Sequence, residues 1–251
     1  MRELLEAVAA GEISPAEAES RLAGYATSEA GRFDATREQR SGIPEAIFGE
    51  GKTTSEIIDL AETAIETTGR AIVTRLESNR QESVAERLQQ LSASDTVEVH
   101  SRAKIIVAKA NSYNRPNEGG EVAVVTGGTV DIAAAREAAI IAREMGATVH
   151  EITDVGVAGI ARLIDQLDVI RQSDVVVVAA GREGALPTVV AGLVDVPVVG
   201  VPVSSGYGKG GAGEAALLGM LQSCTVLSVV NIDAGFVAGA QAGLIAKTAS
   251  K

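Results

Sequence analysis

The stretch Val122-Ala123-Val124-Val125-Thr126-Gly127-Gly128-Thr129-Val130-Asp131 decides the fold. An apolar run without alternation is followed at once by a glycine pair and an aspartate. A strand apolar on every residue is buried on both faces, as in a parallel sheet. The glycines then turn the chain into a predicted helix with Ile132, Ala135, Ala139 and Ala142 on one face, the spacing of an amphipathic helix. The same beat recurs downstream. A strand ends near Ile152, and a helix is predicted over 157–171, a strand over 174–180 and a helix over 186–193. Then come a strand over 196–202, a helix over 213–222, a strand over 225–232 and a last helix. Buried strands alternating with helices predict an α/β domain with a three-layer parallel sheet. Ligands of such sheets bind outside the carboxyl ends of the strands.

Upstream of Pro116 the chain is polar and mixed. Ser14-Pro15-Ala16-Glu17 reads as a capping box with proline in the first helical turn. Thr53 to Glu56 repeats the signal and opens a helix over 57–67. Between them, 31–52 reads as a loop carrying Asp34, Arg37, Arg40, Glu45, Glu50 and Lys52, whose plain reading is a solvated surface. A strand over 71–75, a helix over 82–91 and a strand over 105–108 follow, and 111–120 reads as a linker. The expected organisation is a smaller N-terminal α+β domain, 1–116, and a parallel α/β nucleotide-binding domain, 117–251.

Composition narrows the function. The 251 residues are 46% hydrophobic but only 2% aromatic, so the core is built from Val, Ile, Leu and Ala. A net charge of −11 argues against a nucleic-acid partner. The single cysteine forms no internal disulfide. The first residues are charged and amphipathic, unlike a signal peptide, and no run reaches the roughly 18–20 apolar residues of a membrane span. A cytoplasmic protein is expected. His100 and His150 show neither metal-ligand nor triad spacing.

Candidate residues follow from the strand ends. Thr126, Gly127, Gly128 and Thr129 offer backbone N–H groups to an anion; a plain strand–helix turn with Asp131 as N-cap is the alternative. Asp154 either caps the next helix or projects into the site. Glu183 stands close to Gly181, between glycines, where a plain turn needs no carboxylate. Ser204-Ser205-Gly206-Tyr207, leading to Lys209, suits phosphate or ribose, or is a flexible loop. Asn231 and Asp233 form a last polar cluster. Cys224 reads from composition as a buried small hydrophobe or as a nucleophile.

The stretch 179–203, with Glu183-Gly184-Ala185-Leu186-Pro187, resembles the core of the purine-pathway carboxyaminoimidazole ribonucleotide mutases. That likeness implies a flavodoxin-like fold, carboxyl transfer and octameric assembly. Their Ser-Ala-His-Arg segment is missing; the equivalent turn reads Ile152-Thr153-Asp154-Val155-Gly156.

The whole chain is more similar to the LarB proteins, the pyridinium-3,5-biscarboxylic acid mononucleotide synthases of nickel-pincer cofactor biosynthesis. The matching segments are Asp34-x-x-Arg37-x-x-Arg40-x-Gly42-x-Pro44-Glu45, Ile47 to Thr53, and Thr74-Arg75. They continue with Asp154 to Gly159, Glu183 to Pro187, Ser223-Cys224 and Val230 to Asp233. Two places depart: Val130 replaces a serine usual in the family, so a hydroxyl contact is lost or supplied by Thr129, and the loop near Lys209 differs.

The resemblance implies nicotinic acid adenine dinucleotide and carbon dioxide or bicarbonate as substrates, in a homo-oligomer with no membrane partner. It points to Cys224 as nucleophile on the ring, with Glu183 removing a proton. Asp131 and Asp154 are then the candidate Mg²⁺ ligands for cleaving the phosphoanhydride, with no organic cofactor. Arg37, Arg40, Lys52 and Arg75 would hold phosphates or the nicotinate carboxylate. The rivals are a purine-type carboxyl mutase and a non-catalytic nucleotide-binding module.

Overall fold

In the computed structural model, which describes residues 2–250 apart from Glu118 and Tyr207, the chain folds as two units, Met1–Asn114 and Arg115–Lys251. The first begins with helices α1 (Arg2–Ala9) and α2 (Pro15–Ala23) and an antiparallel hairpin of β1 (Ala26–Ser28) and β2 (Gly31–Phe33). Then come α3 (Arg37–Ser41), β3 (Ile47–Phe48), α4 (Thr54–Thr68), β4 (Arg70–Thr74), α5 (Ser78–Gln89), β5 (Thr96–His100) and β6 (Ile105–Lys109). The sheet order is β3-β4-β6-β5, with only β3 and β4 parallel.

A capping box opens α4: the Thr53 hydroxyl accepts from the Glu56 N–H at 3.3 Å, and the Glu56 carboxylate accepts from the Thr53 N–H at 2.6 Å. Ile57, Ala61, Ala64 and Ile65 of α4 and Val84 and Leu88 of α5 share a core with Ala71, Val73 and Ile106 of the sheet.

The expectation of a solvated loop over 31–52 is corrected here, because the segment holds β2, α3 and β3. Several of its charges are paired, two of the pairs within the segment. Arg37 meets Glu45 at 2.9 Å, Arg40 grips both oxygens of Asp34 at 3.0 and 2.8 Å, and Glu38 pairs with the buried Arg70 at 2.8 Å. The bidentate fork is the geometry in which a guanidinium holds a carboxylate best. The edge strand β5 was also not expected.

The second unit contains β7 (Glu121–Thr126), α6 (Ile132–Glu144), β8 (Thr148–Ile152), α7 (Ile160–Ile164), α8 (Leu167–Arg171) and β9 (Val175–Ala180). It continues with α9 (Ala185–Ala191), β10 (Val198–Pro202), α10 (Glu214–Leu221), β11 (Ser228–Val229) and α11 (Gly235–Ala249). All five strands are parallel, in the order β11-β10-β9-β7-β8, which is the flavodoxin-like arrangement.

Alternate residues of the strands feed two cores. Val122, Val124, Val175 and Val177 face the alanines of α6 and α11. Ala123, Val125, Val176 and Val178 face Leu186 and Val190 of α9 and Met220 of α10. Helix α6 is buried nearly all round rather than on one face, because α11 covers what the sheet does not. A Cβ on Gly239 of α11 would overlap the carbonyl of Ala138 on α6.

Two further expectations change. The helix over 157–171 is broken into a 3₁₀ turn, Val157–Gly159, and the short α7 and α8; Gln166 closes α7 with a bond to the Leu163 carbonyl at 3.1 Å. The strand over 225–232 shrinks to β11. Residues 223 and 225 are held elsewhere: the Ser223 hydroxyl accepts from Thr188 of α9 at 2.9 Å and from the Thr225 N–H at 3.1 Å. Among the described residues no helix is long and apolar enough to cross a membrane.

Candidate active site

Strand order reverses between β7 and β9, and the turns after four strands meet at this switch point. Gly156, after β8, comes so close to the turn after β7 that a Cβ on it would lie 2.7 Å from the Gly127 carbonyl oxygen. Its φ of −59° suits any residue, so space and not backbone angle excludes a side chain. Gly181, after β9, leaves room for the Ser205 hydroxyl from the turn after β10, which a Cβ would approach to 2.9 Å. Together they bound a cleft of about 440 Å³ whose wall includes Gly127, Gly128, Asp131, Glu183, Ser205 and Gly206. That volume is in the range of small-molecule sites.

Asp131 is the buried charge-bearing group of this cleft, only 5% exposed. One oxygen accepts from the Gly128 N–H at 2.8 Å and the other from the Ser205 hydroxyl at 3.2 Å. It starts α6 without capping it through its side chain, so the N-cap alternative gives way to a tie between two turns. Burial pushes the carboxyl above its ordinary range, while the Gly128 N–H, the Ser205 hydroxyl and the Gly181 N–H pull it down. Glu183 is exposed on the same wall, beside Arg182, whose φ of 53° is left-handed. The lining also includes apolar Val130, Val157, Ala158 and Leu186. Sequence reasoning had marked Val130 as the replacement of a family serine, and Val157, Ala158 and Leu186 only as parts of matching segments, not as lining residues.

Other candidates lie elsewhere. Thr126 is buried, and its hydroxyl accepts from the Asp154 N–H at 3.3 Å. Asp154, at φ 61°, is exposed outside the cleft wall and paired with Arg162 at 2.6 Å. Asp233 accepts from the Ser204 N–H at 3.0 Å, and Asn231 from the Ile232 N–H at 2.8 Å, so both brace turns. Thr129 is exposed and not part of the wall. Tyr207 lies outside the described residues.

Cys224 is exposed, after α10, and does not line the cleft. Residues just beyond it, Val226 to Ser228, line a separate cavity with Pro197 and Val198 at the amino end of β10.

The basic residues belong to the first unit. Arg37 and Arg40 are spent on Glu45 and Asp34. The Lys52 ammonium donates to the Phe48 carbonyl at 3.0 Å. Arg75 lies over the Phe48 ring, 5.2 Å from its centre, and 3.9 Å from Glu50. None of the four lines the cavity of that unit, which is walled by Glu38, Glu66 and Thr67 among others.

Magnesium requires several oxygen ligands in near-octahedral array. Among the described residues no group of three or more His, Cys, Asp or Glu side chains could hold a metal. Asp131 already accepts on both oxygens, and Asp154 is tied to Arg162 outside the wall. This donor set does not fit Mg²⁺ within one chain, and no step below passes through the ion.

Comparison with known proteins agrees with the architecture. Residues 25–111 match the LarB/PurE-like N-terminal domain, and residues 121–250 match the AIR carboxylase domain. The chain is also 39% identical, over 257 aligned residues, to the uncharacterized protein MJ0165 of Methanocaldococcus jannaschii, covering 100% of this chain and 98% of the relative.

Proposed function

This chain belongs to the LarB family, relatives of the PurE-type mutases, and from that premise we propose that it carboxylates the pyridinium ring of nicotinic acid adenine dinucleotide and cleaves the phosphoanhydride. The family is one of carboxylase- and mutase-type enzymes acting on small-molecule nucleotides. The observation that supports the finer reading is the cleft at the switch point, lined by Glu183 and the buried Asp131 together with glycines and apolar side chains.

A pyridinium ring and carbon dioxide are both electrophiles, so the ring must first gain electron density. The Cys224 thiolate forms a C–S bond to a ring carbon, and the ring π pair moves to nitrogen, giving a neutral dihydropyridine. Its enamine carbon, position 5, then forms a C–C bond to carbon dioxide. Glu183 takes the proton from that carbon, and expulsion of the thiolate breaks the C–S bond and restores the aromatic cation. The net exchange is one proton for one carboxylate group. Thiolate serves because it both attacks and leaves readily. Water then cleaves the anhydride, releasing AMP and pyridinium-3,5-biscarboxylic acid mononucleotide. Apolar Val157 and Leu186 keep competing water from the ring. Of the basic candidates, Arg37 and Arg40 hold carboxylates at hydrogen-bond distance, whereas Lys52 donates to a carbonyl and Arg75 lies 3.9 Å from Glu50, which leaves the latter two the more able to exchange partners for an anion.

The match of residues 121–250 to AIR carboxylase favours one second reading, a purine-type carboxyl mutase. Among the described residues no histidine lines the cleft, which speaks against it. Incubation with nicotinic acid adenine dinucleotide, bicarbonate and Mg²⁺, followed by mass spectrometry, separates the two. A dicarboxylated mononucleotide plus AMP is the expected result. Turnover of aminoimidazole ribonucleotide by a Cys224→Ala variant would replace this reading with the second.

A further inference from the structure

We propose that Thr188, Ser223 and Thr225 are positioning residues for Cys224, closing a ring of hydroxyls that aims the thiol. This rests on the carboxylation reading above. Thr188 lies in α9, and Ser223 and Thr225 flank the cysteine just after α10. The Thr188 hydroxyl donates to the Ser223 oxygen at 2.9 Å, and the Thr225 hydroxyl donates to the Thr188 carbonyl at 3.4 Å. A hydroxyl has a single proton to give, so the 2.8 Å contact between Ser223 and Thr225 runs from Ser223 to Thr225. The Thr225 N–H adds a further bond to the Ser223 oxygen at 3.1 Å.

Every hydroxyl proton of the ring is thus committed inside it, and none remains to be donated to the sulfur. The ring therefore acts on where the thiol points and not on its charge. Burial alternates along the segment: Ser223 and Thr225 are half-buried, whereas Cys224 and Val226 are exposed. Tethering both neighbours of the cysteine to α9 leaves the thiol between them facing away. The same pair of helices seats the proposed base. Helix α9 follows the turn that carries Glu183, and a Cβ on Gly219 of α10 would overlap the Glu183 carbonyl oxygen. A Cβ on Gly184 would lie 2.6 Å from the Ala216 carbonyl oxygen, also on α10. Base and sulfur are anchored to one helix pair, the base where α9 begins and the sulfur where α10 ends. Attack on a ring carbon demands alignment, and a displacement of about 1 Å can cost about 100-fold in rate.

The test compares full-length Thr188→Val, which keeps the shape and loses the hydroxyl, with Thr188→Ser, which restores it, and with Ser223→Ala. Turnover is read by product mass. The first step is read alone by supplying nicotinic acid adenine dinucleotide without bicarbonate and following the dihydropyridine absorbance of the sulfur–ring adduct. Thr188→Val and Ser223→Ala are expected to lower kcat and the rate of adduct formation about 10- to 100-fold, with KM within about threefold of wild type. Thr188→Ser should recover most of that loss. Alkylation of Cys224 by iodoacetamide, which needs no alignment with a ring, should change by less than about twofold. Melting curves establish that each variant is folded at the assay temperature; if Thr188→Val is not, Ser223→Ala decides. Folded variants that form adduct and turn over like wild type would overturn the proposal. A matching loss of alkylation would overturn it too, by assigning the hydroxyls to activation of the thiol. A wild-type chain that yields neither adduct nor product, or an active Cys224→Ala chain, would instead remove the carboxylation reading and this inference with it.

Discussion

Replacing Gly156 by alanine tests the close approach that shapes the cleft. The added Cβ would sit 2.7 Å from the Gly127 carbonyl oxygen, whereas ordinary contact begins near 3.4 Å. Backbone faces the new atom, so no flexible side chain can swing aside, and the two turns must part by about 0.7 Å. The φ of −59° adds no penalty. Overpacking of this kind costs about 1–3 kcal/mol, which lowers the melting temperature of a unit this size by roughly 4–12 °C. Gly128→Ala is the internal control, because its Cβ would meet only an Asp131 oxygen at 3.6 Å, and a shift within about 0.5 kcal/mol is expected. Calorimetry reads stability, for which Gly128→Ala is the control, and titration with AMP reads the cleft, which should bind more weakly in Gly156→Ala than in wild type. A Gly156→Ala protein that melts and binds like wild type, or a control that falls as far, would refute the steric reasoning.

Four further outcomes follow from the same geometry. Because burial raises the Asp131 pKa above its ordinary 3.8, the folded state holds the extra proton; stability falls as pH rises through the window between the two values and is level above it. Asp131→Asn removes that decline, and Ser205→Ala, which deletes a bond holding the pKa down, extends it to higher pH; melting curves across acid and neutral pH check both. Cys224→Ser is expected to abolish carboxylation with a stability change within about 0.5 kcal/mol, since the side chain is exposed, read by product mass and by calorimetry. Gly239→Val should lower stability by about 3 kcal/mol or more by forcing α11 off α6, measured by denaturant titration. Arg162→Ala should cost less than about 1 kcal/mol, because the pair with Asp154 is exposed at both ends; a larger loss in the same titration would give Asp154 a structural weight its exposure denies.

How far the fold could be read depended on how locally each element is specified. The three central parallel strands announced themselves, since burial on both faces demands runs such as Val175 to Ala180 that few other structures tolerate, whereas the edge strands β8 and β11 are partly exposed. The capping box at Thr53 was equally local. The segment 31–52 was misread because α3 and β3 are too short to carry a periodic signal and depend on pairs such as Arg70 with Glu38, 32 residues apart. The edge strand β5 had left a trace, the alternation Thr96-Val97-Glu98-Val99-His100, that went unused.

The candidate site divides in the same way. Sequence by itself determined that Gly127, Gly128, Asp131, Gly181, Glu183, Ser205 and Gly206 follow strands, and parallel topology then obliges such turns to share one edge. Tertiary structure alone decided that Asp131 is buried and tied to Ser205, 74 residues away, while Asp154 is taken up by Arg162. It alone decided that Cys224 is exposed and apart from the cleft. The periodicity of a strand or helix is written in neighbouring residues, but the partner of a charge or the exposure of a thiol depends on distances between turns that only the closed sheet fixes.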